Sequence, residues 1–180
     1  MALRGLAVLA AAVFAPACAS ADVVDSAPNG FTLKITLTVQ SMPADVYRLL
    51  VHNWGDWWSS SHTYSGDAHN LSIDDKPGSC LCEKLPDGGG VQHMVVVTAM
   101  PGKRLVLRGA LGPLQAMGAD GSMSIVLSPD SAGTKLEVTF AAGGYSAGGM
   151  DKLAAPVNMV LTEQFTRLKN FVEHGSPTPK

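Results

Sequence analysis

Lysine and arginine never cluster in this chain. With 13 basic against 15 acidic residues and a net charge of −2, it has no electrostatic footprint for nucleic acid or an anionic membrane surface, so neither partner is expected. No apolar run reaches the about 18 residues that a membrane-spanning helix needs, which excludes stable membrane insertion by a helix. Three cysteines, Cys18, Cys80 and Cys82, are too few for a disulfide framework. No His-Glu-x-x-His and no Gly-rich phosphate loop is present. His62, Asp67 and His69, with Asp56 and Asp74 nearby, match no metal-ligand spacing, so no metal and no cofactor is expected. The sequence also has no internal repeat and no composition break that would divide it into domains.

What is present begins with a targeting pattern. Met1-Ala-Leu-Arg4 carries one positive charge, Gly5 to Phe14 is an uncharged apolar run, and Ala19-Ser-Ala21 precedes Asp22. Charged start, apolar middle and small-residue cleavage site together read as a secretory signal peptide over residues 1–21. A periplasmic or secreted protein is the expectation. Ala15-Pro16-Ala17 is a poor lipobox, which argues against acylation of Cys18. Cys80 and Cys82 then remain. In an extended strand their Cα atoms would lie about 7 Å apart, the upper limit for an unstrained disulfide. Two half-buried thiols, or one strained disulfide, are the favoured reading over a metal site, and the redox state stays open.

Residues 22–30 are polar and read as a linker before a domain spanning 31–175, with residues 176–180 a flexible tail. Phe31, Leu33, Ile35, Leu37 and Val39 alternate with Thr32, Lys34, Thr36 and Thr38, the period of a strand with one wet face. Ser41 and Pro43 suit an N-cap and first turn, and Val46, Leu49 and Leu50 continue a short helix. Residues 54–69 read as a second short helix and a long loop. Strands then recur near residues 71–73, 79–85, 91–99, 104–108, 121–127 and 134–140, separated by turn signals such as Pro86-Asp-Gly-Gly-Gly90. Leu153, Val157, Val160, Leu161, Phe165, Leu168, Phe171 and Val172 recur at three- and four-residue steps. Because Pro156 belongs in a first turn, this helix is expected to start near Ala155, and Gly175 should end it. The fold class that follows is α+β, a curved antiparallel sheet wrapped around a long C-terminal helix, with an apolar pocket between the two near the open end.

These residues resemble the START-like, or SRPBCC, superfamily of helix-grip proteins. The likeness rests on Pro43-Ala-Asp-Val-Tyr47, Trp54-Gly-Asp-Trp-Trp58, Met100-Pro-Gly-Lys-Arg-Leu-Val106, Gly133-Thr-Lys-Leu-Glu-Val138 and Gln164-Phe-Thr-Arg-Leu-Lys169. The Trp-rich stretch and the Pro-Gly-Lys-Arg-Leu turn are most similar to the chaperone-ATPase-activator-like branch, and Gly109-Ala-Leu-Gly-Pro-Leu-Gln115 is similar to exported bacterial members. The resemblance spans about residues 31 to 174. It implies the fold, whereas lipid carriers, cyclases and co-chaperones share that fold without sharing an activity.

The chemistry-bearing candidates are few. Trp54, Trp57 and Trp58 offer an aromatic wall, with Trp58 at the pocket. His93 shares a strand face with Val91, Val95 and Val97, as either a core histidine or a polar anchor. Glu83, read as a surface residue beside a turn, is the one group that could pair with His93 as acid and base. Among the methionines, Met117, Met123, Met150 and Met159 could border the gap between sheet and helix. The expected ligand-binding set is Trp58, His93, Met117, Met123, Val157, Leu161 and Phe165, around a small apolar ligand. An enzyme using His93, and an interaction module using the Trp54–Trp58 region, are the alternatives. The targeting pattern makes a direct prediction. N-terminal sequencing of exported protein should begin at Asp22, and an intact Met1 or a lipid-modified Cys18 would contradict it.

Overall fold

A computed structural model describes residues 20–178. The expected signal peptide thus lies outside the described residues except for Ser20 and Ala21, as does Cys18. Strand β2 (Gly30–Val39) buries Phe31, Leu33, Ile35, Leu37 and Val39, each at most 3% exposed, as its alternation requires. Helices α1 (Pro43–His52) and α2 (Trp54–Trp57) follow, then two 3-10 turns, Ser60–His62 and Ala68–Asn70. Strands β3 (Leu71–Ser72), β4 (Cys80–Lys84), β5 (Gly90–Met100) and β6 (Arg104–Gly109) come next. A 3-10 segment, Gly112–Ala116, leads into β7 (Gly118–Asp130) and β8 (Gly133–Tyr145), and helix α3 (Asp151–His174) ends the fold.

Together with β1 (Ser20–Ala27), these strands form one eight-stranded sheet in the order β1-β2-β8-β7-β6-β5-β4-β3. Every neighbouring pair is antiparallel. The fold is α+β, a curved open sheet whose inner face packs on α3. The sheet side of the core comes from Leu105 and Leu107 of β6, Met123, Ile125 and Leu127 of β7, and Leu136, Val138 and Phe140 of β8, all buried, and α3 lies closest to β2 and β1. From the helix come Ala154, Leu161, Phe165 and Leu168.

The structure departs from the sequence expectation at five places. Residues 22–30 are not a linker. Most of them form β1, and Pro28-Asn29 is the two-residue turn that pairs Ala27 with Gly30. The strand is mostly exposed, so its side chains carry no alternation to read. The cap of α1 falls on Met42, one residue past Ser41. Helix α3 begins at Asp151, placing Pro156 in its second turn, where the ring forfeits one bond to the Lys152 carbonyl. A tertiary contact offsets that loss. Buried Met150 donates its N–H to Pro28 O at 2.9 Å, pinning the helix start to the β1–β2 turn.

The last two departures are linked. Cys80 and Cys82 are joined as a disulfide with Cα atoms 5.3 Å apart, well inside the bonding range. Strand β4 is not flat there, because its register with β5 slips between Leu81 and Cys82. Leu81 faces Met94 and Cys82 faces Gln92, so His93 is the extra residue of a β-bulge. A second slip leaves Val97 unpaired against β6. The uninterrupted alternation that put Val91, His93, Val95 and Val97 on one face is therefore broken. Met94 and Val96 are the buried residues, Val97 is 47% exposed, and His93 turns inward beside Met94.

Phe165 is fully buried against Trp57, ring centres 6.0 Å apart. Phe165→Ala should cost roughly 3–5 kcal/mol, whereas Met159→Ala, at a residue 70% exposed, should change stability by about 0.5 kcal/mol or less. Paired urea denaturation curves test both, and equal midpoints would show that α3 does not cover the core.

Candidate functional site

The site is built around the tryptophan cluster. Asn53 to Trp58 turns tightly, and Gly55 permits it, since a Cβ there would come 2.7 Å from the Ala68 carbonyl oxygen. The three indole ring centres lie 4.6–5.7 Å apart, with Trp54 stacked on Trp58 and the other pairs tilted or edge-on, and all are 6% exposed or less. Their burial leaves no ring on the surface for a protein partner. Polar residues of α3 hold the segment in place. Gln164 Oε1 accepts from Ser59 N at 2.8 Å, and Arg167 Nε donates to Trp57 O at 2.9 Å. Glu163 lies 3.4 Å from His62 Nε2. Arg167 and Glu163 thus clamp a loop.

Between this cluster, the sheet, α3 and the Gly112–Ala116 segment lies a cavity of about 450 Å³. Trp54 and Trp58 form one wall, Leu71 and Leu81 the strand side, and Leu153, Val157, Val160 and Leu161 the helix side. Leu111 and Leu114 also line it, and Tyr64, whose hydroxyl donates to Gly112 O at 2.9 Å, joins the loop after the tryptophans to the Gly112–Ala116 segment. Pro156, misplaced by the helix boundary, lines the cavity too.

Of the seven expected binding residues, Trp58, His93, Val157 and Leu161 border this cavity and three do not. Met123 and Phe165 are core residues, 1% and 0% exposed, and Met117 packs half-buried at the end of its 3-10 segment. Met150 is core and Met159 is exposed. The periodicity located the inner face correctly for each core residue, but most of that face is filled solid. Trp54 was expected only as part of the aromatic wall, and Tyr64, Leu71, Leu81 and Leu111 were not singled out. Only the outward break in alternation at Leu111-Gly112-Pro113 could have marked the last.

His93 and Glu83 meet. His93 Nε2 lies 2.9 Å from Glu83 Oε2, with side chains 6% and 0% exposed. Glu83 is not a surface residue. It lies on the inner face of β4 beside Leu81, and the bulge carries His93 to it. Gly109 makes the approach possible: at φ +142° its missing Cβ would otherwise sit 2.7 Å from His93 O. Burial opposes ionisation of Glu83, but hydrogen bonds from Ser65, from the Tyr64 backbone and from His93 outweigh it. They hold the carboxyl below its ordinary value. Among the described residues it is the only acid–base contact with both side chains buried, and no group of three metal-ligating side chains occurs there.

One motif escaped the sequence reading. Gly144-Tyr-Ser-Ala-Gly148 spells Gly-x-Ser-x-Gly and lies between β8 and α3. A nucleophile in that motif needs a histidine. Every histidine with a polar contact among the described residues faces a carboxylate, and none is hydrogen-bonded to Ser146.

No family model matches the chain, and no curated protein matches it. Solved structures do. The chain is similar to an uncharacterized protein from Rhizobium leguminosarum, with TM-score 0.59 and 18% identity over 87% of this chain and 98% of that one. A protein from Chromobacterium violaceum gives TM-score 0.54 and 16% identity, over 82% and 99% of the two chains. The di-domain ARO/CYC StfQ from the steffimycin biosynthetic pathway gives TM-score 0.55 and 16% identity, over 82% of this chain and 52% of that one. At such identities the likeness shows a shared helix-grip-like fold alone.

The buried pair has a pH signature. Because the folded chain lowers the Glu83 value, ionised Glu83 stabilises the fold fully above the ordinary 4.5. The contribution shrinks as the pH falls from there and is gone below the folded value. Glu83→Gln should therefore lower the denaturation midpoint at neutral pH, with the gap to wild type narrowing in acid. A gap that stays constant with pH would show that Glu83 is not held ionised.

Proposed function

We propose that this chain is a START-like binding or carrier protein for a small, mostly apolar molecule, working in the periplasm or outside the cell. The single observation that carries the reading is the cavity between the sheet, the tryptophan cluster and α3. At about 450 Å³ it is within the range of small-molecule sites, and its walls are indole, leucine and valine. Well-packed cores leave few voids larger than a water molecule, so a space of this size is more than a packing defect. Export rests on the pattern of residues 1–21. No helix among the described residues is long and apolar enough to cross a membrane, which agrees with a protein that meets its ligand in solution or at a membrane surface. The nearest branch by sequence pattern, the chaperone-ATPase-activator-like one, contributes fold and no activity.

A second reading, a cyclase- or hydrolase-like enzyme, is favoured by one feature, the buried His93–Glu83 pair bordering the cavity. The fold likeness to StfQ is in keeping with it. Carriage ranks first because a general base also needs a partner that stabilises the developing charge, and the lining contains no lysine or arginine.

N-phenylnaphthylamine, a neutral dye that brightens in apolar surroundings, tests the reading. Wild type should take up one equivalent. Val157→Trp, which fills the cavity from the helix side, should weaken uptake by roughly tenfold or more, about 1.4 kcal/mol, with circular dichroism unchanged. Equal uptake by both proteins would place the dye elsewhere and remove the main support for a carrier.

A further inference from the structure

The polar atoms of the cavity wall are nearly all satisfied within the protein. Ser61 Oγ lies 2.7 Å from Ser59 Oγ, Thr63 Oγ1 donates to Ser60 O at 2.7 Å, and Trp58 Nε1 donates to His62 O at 3.0 Å. The Tyr64 hydroxyl is engaged by Gly112 O and His62 Nε2 faces Glu163. What is left among the described residues is the Nδ1 nitrogen of partly exposed His62 and Nδ1 of His93; the indole N–H of Trp54 also has no partner, but it is sealed in the core and does not reach the cavity. In His93 the other nitrogen is taken by Glu83, so a buried imidazole offers the cavity one nitrogen with a carboxylate behind it.

We propose that the cavity takes a neutral apolar molecule bearing a single hydroxyl group, an alcohol or phenol, which pairs with His93 Nδ1, and that it discriminates against fatty-acid-like carboxylates. This rests on the binding reading above and names its ligand class. The choice of head group follows from hydrogen-bond inventories. Nδ1 accepts when the ring is neutral and donates when the ring is charged. A hydroxyl can do either, so it is matched to His93 in both states, whereas a ketone or an N–H group suits only one. A carboxylate meets the opposite conditions. It would be buried where the lining holds no lysine or arginine, with the Glu83 charge directly behind the only imidazole in the buried wall. An anion taken out of water without a cation is costly. An unsubstituted hydrocarbon would leave the His93 nitrogen unpaired.

Three ligands with one apolar body separate these possibilities: biphenyl, its phenol and its carboxylate, each titrated calorimetrically into the full mature chain at neutral pH. The phenol should bind roughly threefold to tenfold tighter than biphenyl, the size of one net hydrogen bond. The carboxylate should bind at least about tenfold more weakly than the phenol. The double variant His93→Leu with Glu83→Gln removes the imidazole without stranding a buried charge, and it keeps an oxygen to accept from Ser65. It should bind biphenyl and phenol alike. A carboxylate that binds as tightly as the phenol, or a phenol preference that survives in the double variant, overturns the head-group assignment and leaves the carrier reading standing. Phenol and biphenyl binding equally to wild type does the same. If none of the three binds wild type, the carrier reading itself falls, and the assignment with it.

Discussion

A single helix has to cover the inner face of an eight-stranded sheet, and it is too narrow for the task. Eight strands at about 4.8 Å spacing would span roughly 34 Å if flat, against about 10–12 Å for a helix with its side chains. Curling reduces the mismatch, and the bulges at His93 and Val97 interrupt the flat register of β5 with its neighbours. The remaining width is covered by irregular chain. On one flank the tryptophan cluster and residues 59–70 fold over the sheet, and at the other end the Gly112–Ala116 segment reaches across. A cavity persists where these covers meet the helix, because loops follow their own backbone hydrogen bonds and cannot interdigitate as regularly as a helix on a strand.

The same constraint explains why polar side chains sit deep in the molecule. A covering loop brings backbone N–H and carbonyl groups to places that water cannot reach, and each must find a partner. Gln164 and Arg167 supply partners for residues 57–59, Glu83 for Ser65, and Tyr64 for Gly112. Glu83 is thus first a structural acceptor for the loop, and its other oxygen is then hydrogen-bonded to His93. Stability and site chemistry share one carboxylate. Removing it would release the loop and leave the imidazole without orientation, a coupling that the fold has no second element to replace.

The outer disulfide belongs to the same local geometry. Cys80 and Cys82 flank Leu81 on the opposite face of β4, at the point where the register slips. Closing two extended residues to 5.3 Å is feasible only on a strand that is already bent, and the bend is the one that turns His93 inward. What looked in one dimension like a pair of thiols on a plain strand is part of how the sheet curves around its site.

By itself the sequence determined the parts of this protein that depend on period: the alternating β2, the run of antiparallel strands, the amphipathic α3 with its Gly175 stop, and hence the α+β class. It also marked Trp58, Val157 and Leu161 as inward-facing and offered His93 with Glu83 as a pair, since periodicity reports which way a side chain points. Tertiary structure alone decided what those inward residues meet. Whether Met123 or Leu161 borders open space depends on how irregular covers pack, and no local pattern encodes that. Strand β1 was invisible because an exposed edge strand is held by backbone bonds to β2, which any side chain permits. Helix α3 passes the boundary set by Pro156 because Met150 is tied to a turn more than a hundred residues away in sequence. His93 reaches Glu83 because one extra residue in β5 shifts its face, and a bulge is a property of two strands in register, legible only once both are paired.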